Sequence, residues 1–174
     1  MMLYKVGETI SKIKHDKEIQ IATANTSEAA NWRNQTILIS DFIQKITNTV
    51  RTKESFDAYM ALSRTQQNDI KDVGGFVGGM LKGGRRGKGN VANRSIMTFD
   101  IDYGDAKTVD AVRSVLGENA YTIYSTHKHK PTSPRLRVIV YTDRPMLPDE
   151  YQAAMRKIAE KINIDFFDGT TYQP

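Results

Sequence analysis

The sequence predicts an α+β protein whose second half is a sheet of the ferredoxin-like, RRM-like sort. Three observations carry this. From Arg94 onward the local patterns read strand, helix, strand, strand, helix. The first of those strands, Arg94 to Tyr103, alternates Met97, Phe99, Ile101 and Tyr103 with Thr98, Asp100 and Asp102, a period of two. The stretch Arg135-Leu-Arg-Val-Ile-Val-Tyr141 alternates likewise, with Leu136, Val138 and Val140 on one face and Arg135 and Arg137 on the other. Within a single domain of 174 residues, residues 1–93 are expected to form an N-terminal α/β part and residues 94–174 the sheet-bearing part.

Between Met1 and Ile21 a short alternation at Ile19 and Ile21 predicts one strand, with a turn near Gly7. Ser27 to Trp32 reads as a short helical turn capped by Thr26 or Ser27, with Trp32 as a packing anchor. Ser40-Asp41 suits the start of a helix to about Val50, with Phe42, Ile43 and Ile46 on one side. A second helix is expected from Thr52 to Leu62, its apolar stripe Phe56, Tyr59 and Met60, then a short polar helix from Thr65 to Ile70. After the first sheet strand, Asp105 to Leu116 reads as a helix with Val109, Val112, Val115 and Leu116 inward and Gly117 as its stop. Tyr121 to Thr126 is the next strand. Pro148 or Asp149 opens a last helix to about Ile162.

The segment 71–90 differs in composition. Lys71 to Gly89 holds eight of the twelve glycines and five basic residues: Lys71, Lys82, Arg85, Arg86 and Lys88. Glycine lets a backbone approach a phosphate closely, and the cations supply the opposing charge. A flexible, solvated basic loop fits the composition equally well, although Phe76 and Val77 would be wasted in one. The spacing matches neither a P-loop nor a dinucleotide fingerprint.

A net charge of +5 and a pI near 9.3 point to a polyanionic partner. The absence of cysteine excludes disulfides and thiolate zinc sites and fits a reducing cytoplasm. No apolar run approaches a membrane span, and the N-terminus lacks a signal-peptide pattern.

The chemistry gathers on the predicted sheet. Asp100 and Asp102 leave one strand face together, roughly 7 Å apart, where they repel. A divalent metal is the obvious counter-charge, and Asp100→Asn is then expected to leave stability equal or higher. The strand from Tyr121 ends in Ser125-Thr-His-Lys-His129, and the loop through Pro134 returns into Arg135 and Arg137. Asp165 or Asp168 can add a third carboxylate. Carboxylates that hold Mg²⁺ or Mn²⁺, with arginines and a histidine to neutralise a triphosphate, suit phosphoryl or nucleotidyl transfer.

Lys71-Asp-Val-Gly-Gly-Phe-Val-Gly-Gly79, Gly84-Arg-Arg, Phe99-Asp-Ile-Asp102, Ser125-Thr-His-Lys-His129 with Pro134-Arg-Leu-Arg137, and Phe167-Asp-Gly-Thr-Thr-Tyr-Gln-Pro174 also carry a resemblance. Together they resemble the N-terminal domain of phage and mobile-element primase-polymerases. These belong to the archaeo-eukaryotic primase superfamily and are often joined to a virulence-associated E type helicase-like ATPase. The resemblance implies an RRM-like catalytic palm packed with an N-terminal α/β subdomain. It also implies nucleotidyl transfer from a nucleoside triphosphate onto a DNA primer or initiating nucleotide, in the cytoplasm of a bacterial host. Asp100 and Asp102 match its first metal-binding motif, His129 its histidine before His127, and Asp168 its third acidic position before Asp165. Ser125, His127, His129, Arg135 and Arg137 are the expected nucleotide ligands. Lys71, Lys82, Arg85, Arg86 and Lys88 are the expected contacts to template or primer DNA. Beyond Pro174 the resemblance leads on to a further strand with another arginine and then the ATPase.

Two other readings compete. A rolling-circle initiator or relaxase uses His-hydrophobe-His to hold a metal and a tyrosine to attack DNA. His127-Lys128-His129 mimics that spacing, and Tyr151 would be the nucleophile. A non-catalytic RRM-like module would instead read nucleic acid with Arg85, Arg86 and sheet aromatics. Two carboxylates on its binding surface would repel phosphates.

Overall fold

The computed structural model describes Ile13 and residues 15–174, so the turn expected near Gly7 lies outside the described residues. Strand β1 (Glu18–Ala24) buries Ile19 and Ile21 as their alternation requires, and β2 (Arg33–Leu38) pairs antiparallel along its edge. Between them Ser27 and Glu28 form a turn, and Trp32 is buried. Helix α1 (Ile39–Thr47) follows β2 without a loop. Its cap comes from outside: the Asp16 carboxylate accepts from Ser40 N and Oγ at 3.0 and 2.6 Å. Helix α2 (Phe56–Ala61) starts at the first residue of its apolar stripe, four residues later than the expected Thr52, because Ser55 caps it by accepting from Ala58 N. So short a helix buries Tyr59 alone and leaves Met60 exposed. Helix α3 (Arg64–Lys71) opens with a full capping box between Ser63 and Gln66.

The glycine-rich segment divides at about Leu81. Its first part is ordered: β3 (Gly75–Val77) pairs with β1, giving the sheet order β2-β1-β3. Gly78 O then accepts from Ser95 N and Ile96 N at 2.7 and 3.2 Å. A Cβ on Gly79 would lie 1.8 Å from Asn93 O. These two glycines admit a neighbouring strand, not a phosphate. The second part, residues 82–90, is an exposed loop pinned by Trp32 N donating to Gly84 O (2.7 Å) and by the Leu81–Val91 bridge.

The second half matches its predicted order. Strand β4 (Arg94–Ile101), helix α4 (Thr108–Leu116), β5 (Tyr121–Ser125), β6 (Leu136–Met146) and α5 (Pro148–Ile162) build a sheet of order β4-β6-β5. Strand β6 is antiparallel to both neighbours, so β4 and β5 run parallel with α4 crossing between them. One face, with Met97, Phe99, Ile101, Leu136, Val138 and Val140, packs on α4 and α5. Phe99 and Val138 have no exposure, and each such burial stabilises by about 1.5–3 kcal/mol. The other face meets the N-terminal part through Ile96 and Ile139, which join Ile19, Ile21, Phe42 and Ile43 in a second core.

Strand β4 ends at Ile101, two residues earlier than its alternation predicted. Asp102 N and Tyr103 N donate to Phe166 O at 3.1 and 3.2 Å, and Tyr103 is exposed instead of buried. The chain after α5 returns beside β4 through short 3₁₀ turns and an antiparallel Ile101–Phe167 bridge. No helix among the described residues is long and apolar enough to cross a membrane.

The close approach at Gly79 sets a prediction. Gly79→Ala should destabilise the fold by about 3 kcal/mol or more, since backbone on both sides must shift. Gly87→Ala, which meets a flexible Asn90 side chain at 3.3 Å, should stay within about 1 kcal/mol of wild type. Urea unfolding of both variants checks this, and equal midpoints would refute it.

Candidate active-site cleft

The register of β4 on β6 decides how the charges meet. Phe99 stands opposite Val138 and Ile101 opposite Leu136 in the apolar face, so Asp100 stands opposite Arg137 on the polar one. Arg137 Nε donates to Asp100 Oδ1 at 2.6 Å and Arg137 Nη2 to Asp100 Oδ2 at 3.1 Å, a two-pronged pair. Arg135 Nη1 donates to Asp102 Oδ1 at 2.5 Å. All four side chains are half-buried, with exposures of 33–43%. Burial alone would lower the Arg137 pKa. The Asp100 charge, with hydrogen bonds to Asp100 and Tyr124, outweighs it and raises the pKa above its ordinary value. Burial also pushes the Tyr124 phenol up.

The counter-charge expected for the aspartate pair is therefore present as two guanidiniums. The mutual repulsion expected within each like-charged pair is cancelled by the other pair.

This lattice forms one wall of a cleft of about 1500 Å³ between the second sheet and the N-terminal part. The opposite wall comes from β1, α1, α3 and β3 and carries Lys45, Arg64 and Lys71, with Arg86 from the basic loop and the carboxylates of Glu28 and Asp72 beside them. None of the four cations forms an ion pair among the described residues. Arg86 donates to Ser27 O and lies 5.4 Å from the Trp32 ring centre.

Some expected ligands join the cleft and others do not. Asp100, Asp102, Arg135, Arg137, His127, Lys71 and Arg86 line it, whereas Ser125, His129, Lys82, Arg85, Lys88, Asp165 and Asp168 do not. His129 Nδ1 accepts the Arg135 backbone N–H at 3.3 Å, which ties it to its own loop. Lys82 Nζ donates to Gly89 O within the basic loop. Asp168 follows the Phe167 bridge, so the chain brings it alongside β4. There its carboxylate accepts from Thr170 N and Oγ1 at 2.8 and 2.7 Å. The Thr170 N–H, with the Thr170 hydroxyl, holds its pKa below the usual carboxylate range. Asp165 is exposed in the turn before it. Tyr151 is 1% exposed in the core between α5 and the other sheet face, out of reach of a DNA strand. Sequence reasoning missed Lys45, Arg64 and Tyr124 as cleft residues. The charges were visible, but which helix faces which sheet was not.

The family model described as the VapE N-terminal domain matches residues 4–174. The chain belongs to that family. Membership ties it to virulence-associated E proteins and to a replication-related role in phages and mobile elements. No curated protein and no solved structure matches it.

The chemistry of this VapE N-terminal domain suits a hard cation in part. Asp100 and Asp102 offer carboxylate oxygens in an open cleft, and Asp102 Oδ2 has no hydrogen-bond partner among the described residues. Both Asp100 oxygens, however, already accept from Arg137. No three His, Cys, Asp or Glu among the described residues converge as a ready-made cage. A cation shared by both carboxylates needs Arg137 to let go of Asp100, whereas Asp102 Oδ2 is already open.

The ion pairs reverse the sign of the expected Asp100→Asn effect. Removing the carboxylate leaves a half-buried Arg137 without its charge partner. The cost should be about 1–2 kcal/mol, after allowing for solvent screening of half-exposed groups. Adding Arg137→Gln should recover part of it in a double-mutant cycle. Chemical denaturation measures both, and an Asp100→Asn variant as stable as wild type would overturn the pairing's energetic role.

Proposed function

We propose that this domain is a metal-dependent primase-polymerase module of the archaeo-eukaryotic primase type, with an RRM-like palm. On this reading it transfers nucleotides from a nucleoside triphosphate onto a DNA primer or initiating nucleotide during phage or mobile-element replication. The observation that carries the reading is the cross-strand lattice of two carboxylates and two arginines on the wall of an open basic cleft. At about 1500 Å³ the cleft exceeds the ~300–1,000 Å³ typical of small-ligand sites. That leaves room for a nucleotide and a strand together.

Asp100 and Asp102 would hold Mg²⁺ or Mn²⁺, which when bound stabilises charge on the phosphoryl oxygens between attacking and leaving groups. Arg135 and Arg137 take the triphosphate oxygens. Each guanidinium exchanges a carboxylate for a phosphate oxygen, an exchange between two acceptors of the same kind. The exchange frees the aspartates as oxygen ligands. His127 donates a hydrogen bond to the phosphates from the cleft rim. Asp168, beside β4, is the nearest expected candidate for a third carboxylate. Lys71 and Arg86 contact the nucleic-acid backbone, with the outer loop cations Lys82, Arg85 and Lys88 beyond the cleft. A helicase-like ATPase domain of the same protein is the proposed partner.

A non-catalytic nucleic-acid-binding module is the second reading, and the same ion pairs favour it. Carboxylates neutralised by arginines do not repel phosphates, so a binder tolerates them. The relaxase reading loses its nucleophile with the burial of Tyr151.

Exchange of partners predicts coupled binding, because each ligand liberates the other's site. Calorimetry should show Mn²⁺ binding about tenfold tighter in the presence of a non-hydrolysable nucleoside triphosphate. Asp102→Asn should remove that coupling. In primer extension, Arg137→Ala should raise the nucleotide KM about tenfold to a hundredfold, or lower kcat if it acts on the transition state. Wild-type metal coupling in Asp102→Asn would sink the metal assignment. DNA binding with no nucleotide incorporation under any metal would leave the binding-module reading.

A further inference from the structure

We propose that Tyr59 is a positioning residue for His127, and that α2 is the bracket holding the histidine loop at the cleft. The inference rests on the nucleotide-binding role proposed for His127. The two rings pack with centroids 4.3 Å apart and planes inclined by 54°. Two further contacts join the same segments. Lys128 Nζ lies 5.9 Å from the Tyr59 ring centre and Lys130 Nζ lies 4.0 Å from that of Phe56. Three side chains of a four-residue stretch thus dock on one six-residue helix.

Tyr59 is itself immobilised. It is 2% exposed, and its hydroxyl donates to Gln67 O at 3.2 Å. The buried Gln67 returns its amide to Leu62 O at 3.0 Å, and the capping box of Ser63 and Gln66 fixes the start of that helix. His127 is the opposite case. It is exposed, it lines the cleft, and neither ring nitrogen has a hydrogen-bond partner among the described residues. Its plane is set through the ring face while neither nitrogen is committed to the protein, which leaves its N–H free to donate to an anion. His129 commits Nδ1 to the backbone of its own loop instead.

Inorganic tripolyphosphate is the probe, followed by calorimetry and by NMR of the His127 ring protons. Those protons should be shifted upfield by the Tyr59 ring in wild type and in Tyr59→Phe, and should lose that shift in Tyr59→Leu. Tyr59→Leu should weaken tripolyphosphate binding about twofold to tenfold, the loss of one aromatic pair. Tyr59→Phe should bind as wild type. In a His127→Ala background Tyr59→Leu should change nothing further. An equal loss in both backgrounds would overturn the proposal, because Tyr59 would then act without His127. So would wild-type ring protons with no upfield shift, or a His127 ring that leaves Tyr59 when tripolyphosphate binds, neither of which needs a Tyr59 variant. If His127→Ala and Arg137→Ala both bind normally, the nucleotide-site reading fails and takes this inference with it. If they bind weakly while Tyr59→Leu matches wild type, only the role of Tyr59 fails.

Discussion

Everything in the cleft depends on the pairing of β4 with β6. Phe99 against Val138 and Ile101 against Leu136 bury one face completely, and a slip of one residue would turn that face to the solvent. The hydrophobic face therefore fixes the polar one. Asp100 meets Arg137 because their apolar neighbours cannot pair any other way. Core packing thus sets the Asp100–Arg137 pair, while Asp102, Arg135 and His127 stand just beyond the paired strands.

The charges on that face are balanced within the protein. An i, i+2 pair of aspartates read alone demands a cation, and an i, i+2 pair of arginines read alone demands an anion. Laid side by side they satisfy each other, and the free protein has no need of either ligand for charge balance. On the proposed reading, a ligand of Asp100 or Arg137 must displace an existing partner, whereas Asp102 Oδ2 is already open.

The second half of the fold was legible because its signals were redundant. Period-2 alternation placed β4 and β6, and Pro148 marked the start of α5. The faces of Asp100, Asp102, Arg135 and Arg137 followed from the same alternation. Where one local rule met a tertiary contact, the contact prevailed. Tyr103 continues the alternation of β4, yet its amide is drawn to Phe166 O and its ring is exposed. Met60 belongs to the α2 stripe on paper, but a six-residue helix turns too little surface inward. Gly78 and Gly79 looked like phosphate-binding residues, and their partner is the β4 backbone. That His127 lines the cleft and His129 does not goes with a loop packed against a helix some seventy residues earlier, a contact no spacing rule reports.

The two walls of the cleft differ in a way that matters before anything is bound. The arginines of the sheet wall are electrically quiet at a distance, because each sits on its own carboxylate. Lys45, Arg64, Lys71 and Arg86 have no such partners and outnumber Glu28 and Asp72 on the same wall, which leaves a positive long-range field. On the proposed reading, a diffusing polyanion is drawn to the N-terminal wall first and meets the sheet only at contact range. Encounter and commitment are thus assigned to opposite sides of one opening. Salt, which shortens the reach of exposed charges to about 8 Å at physiological strength, slows the arrival while leaving the arginine–aspartate wall largely as it is.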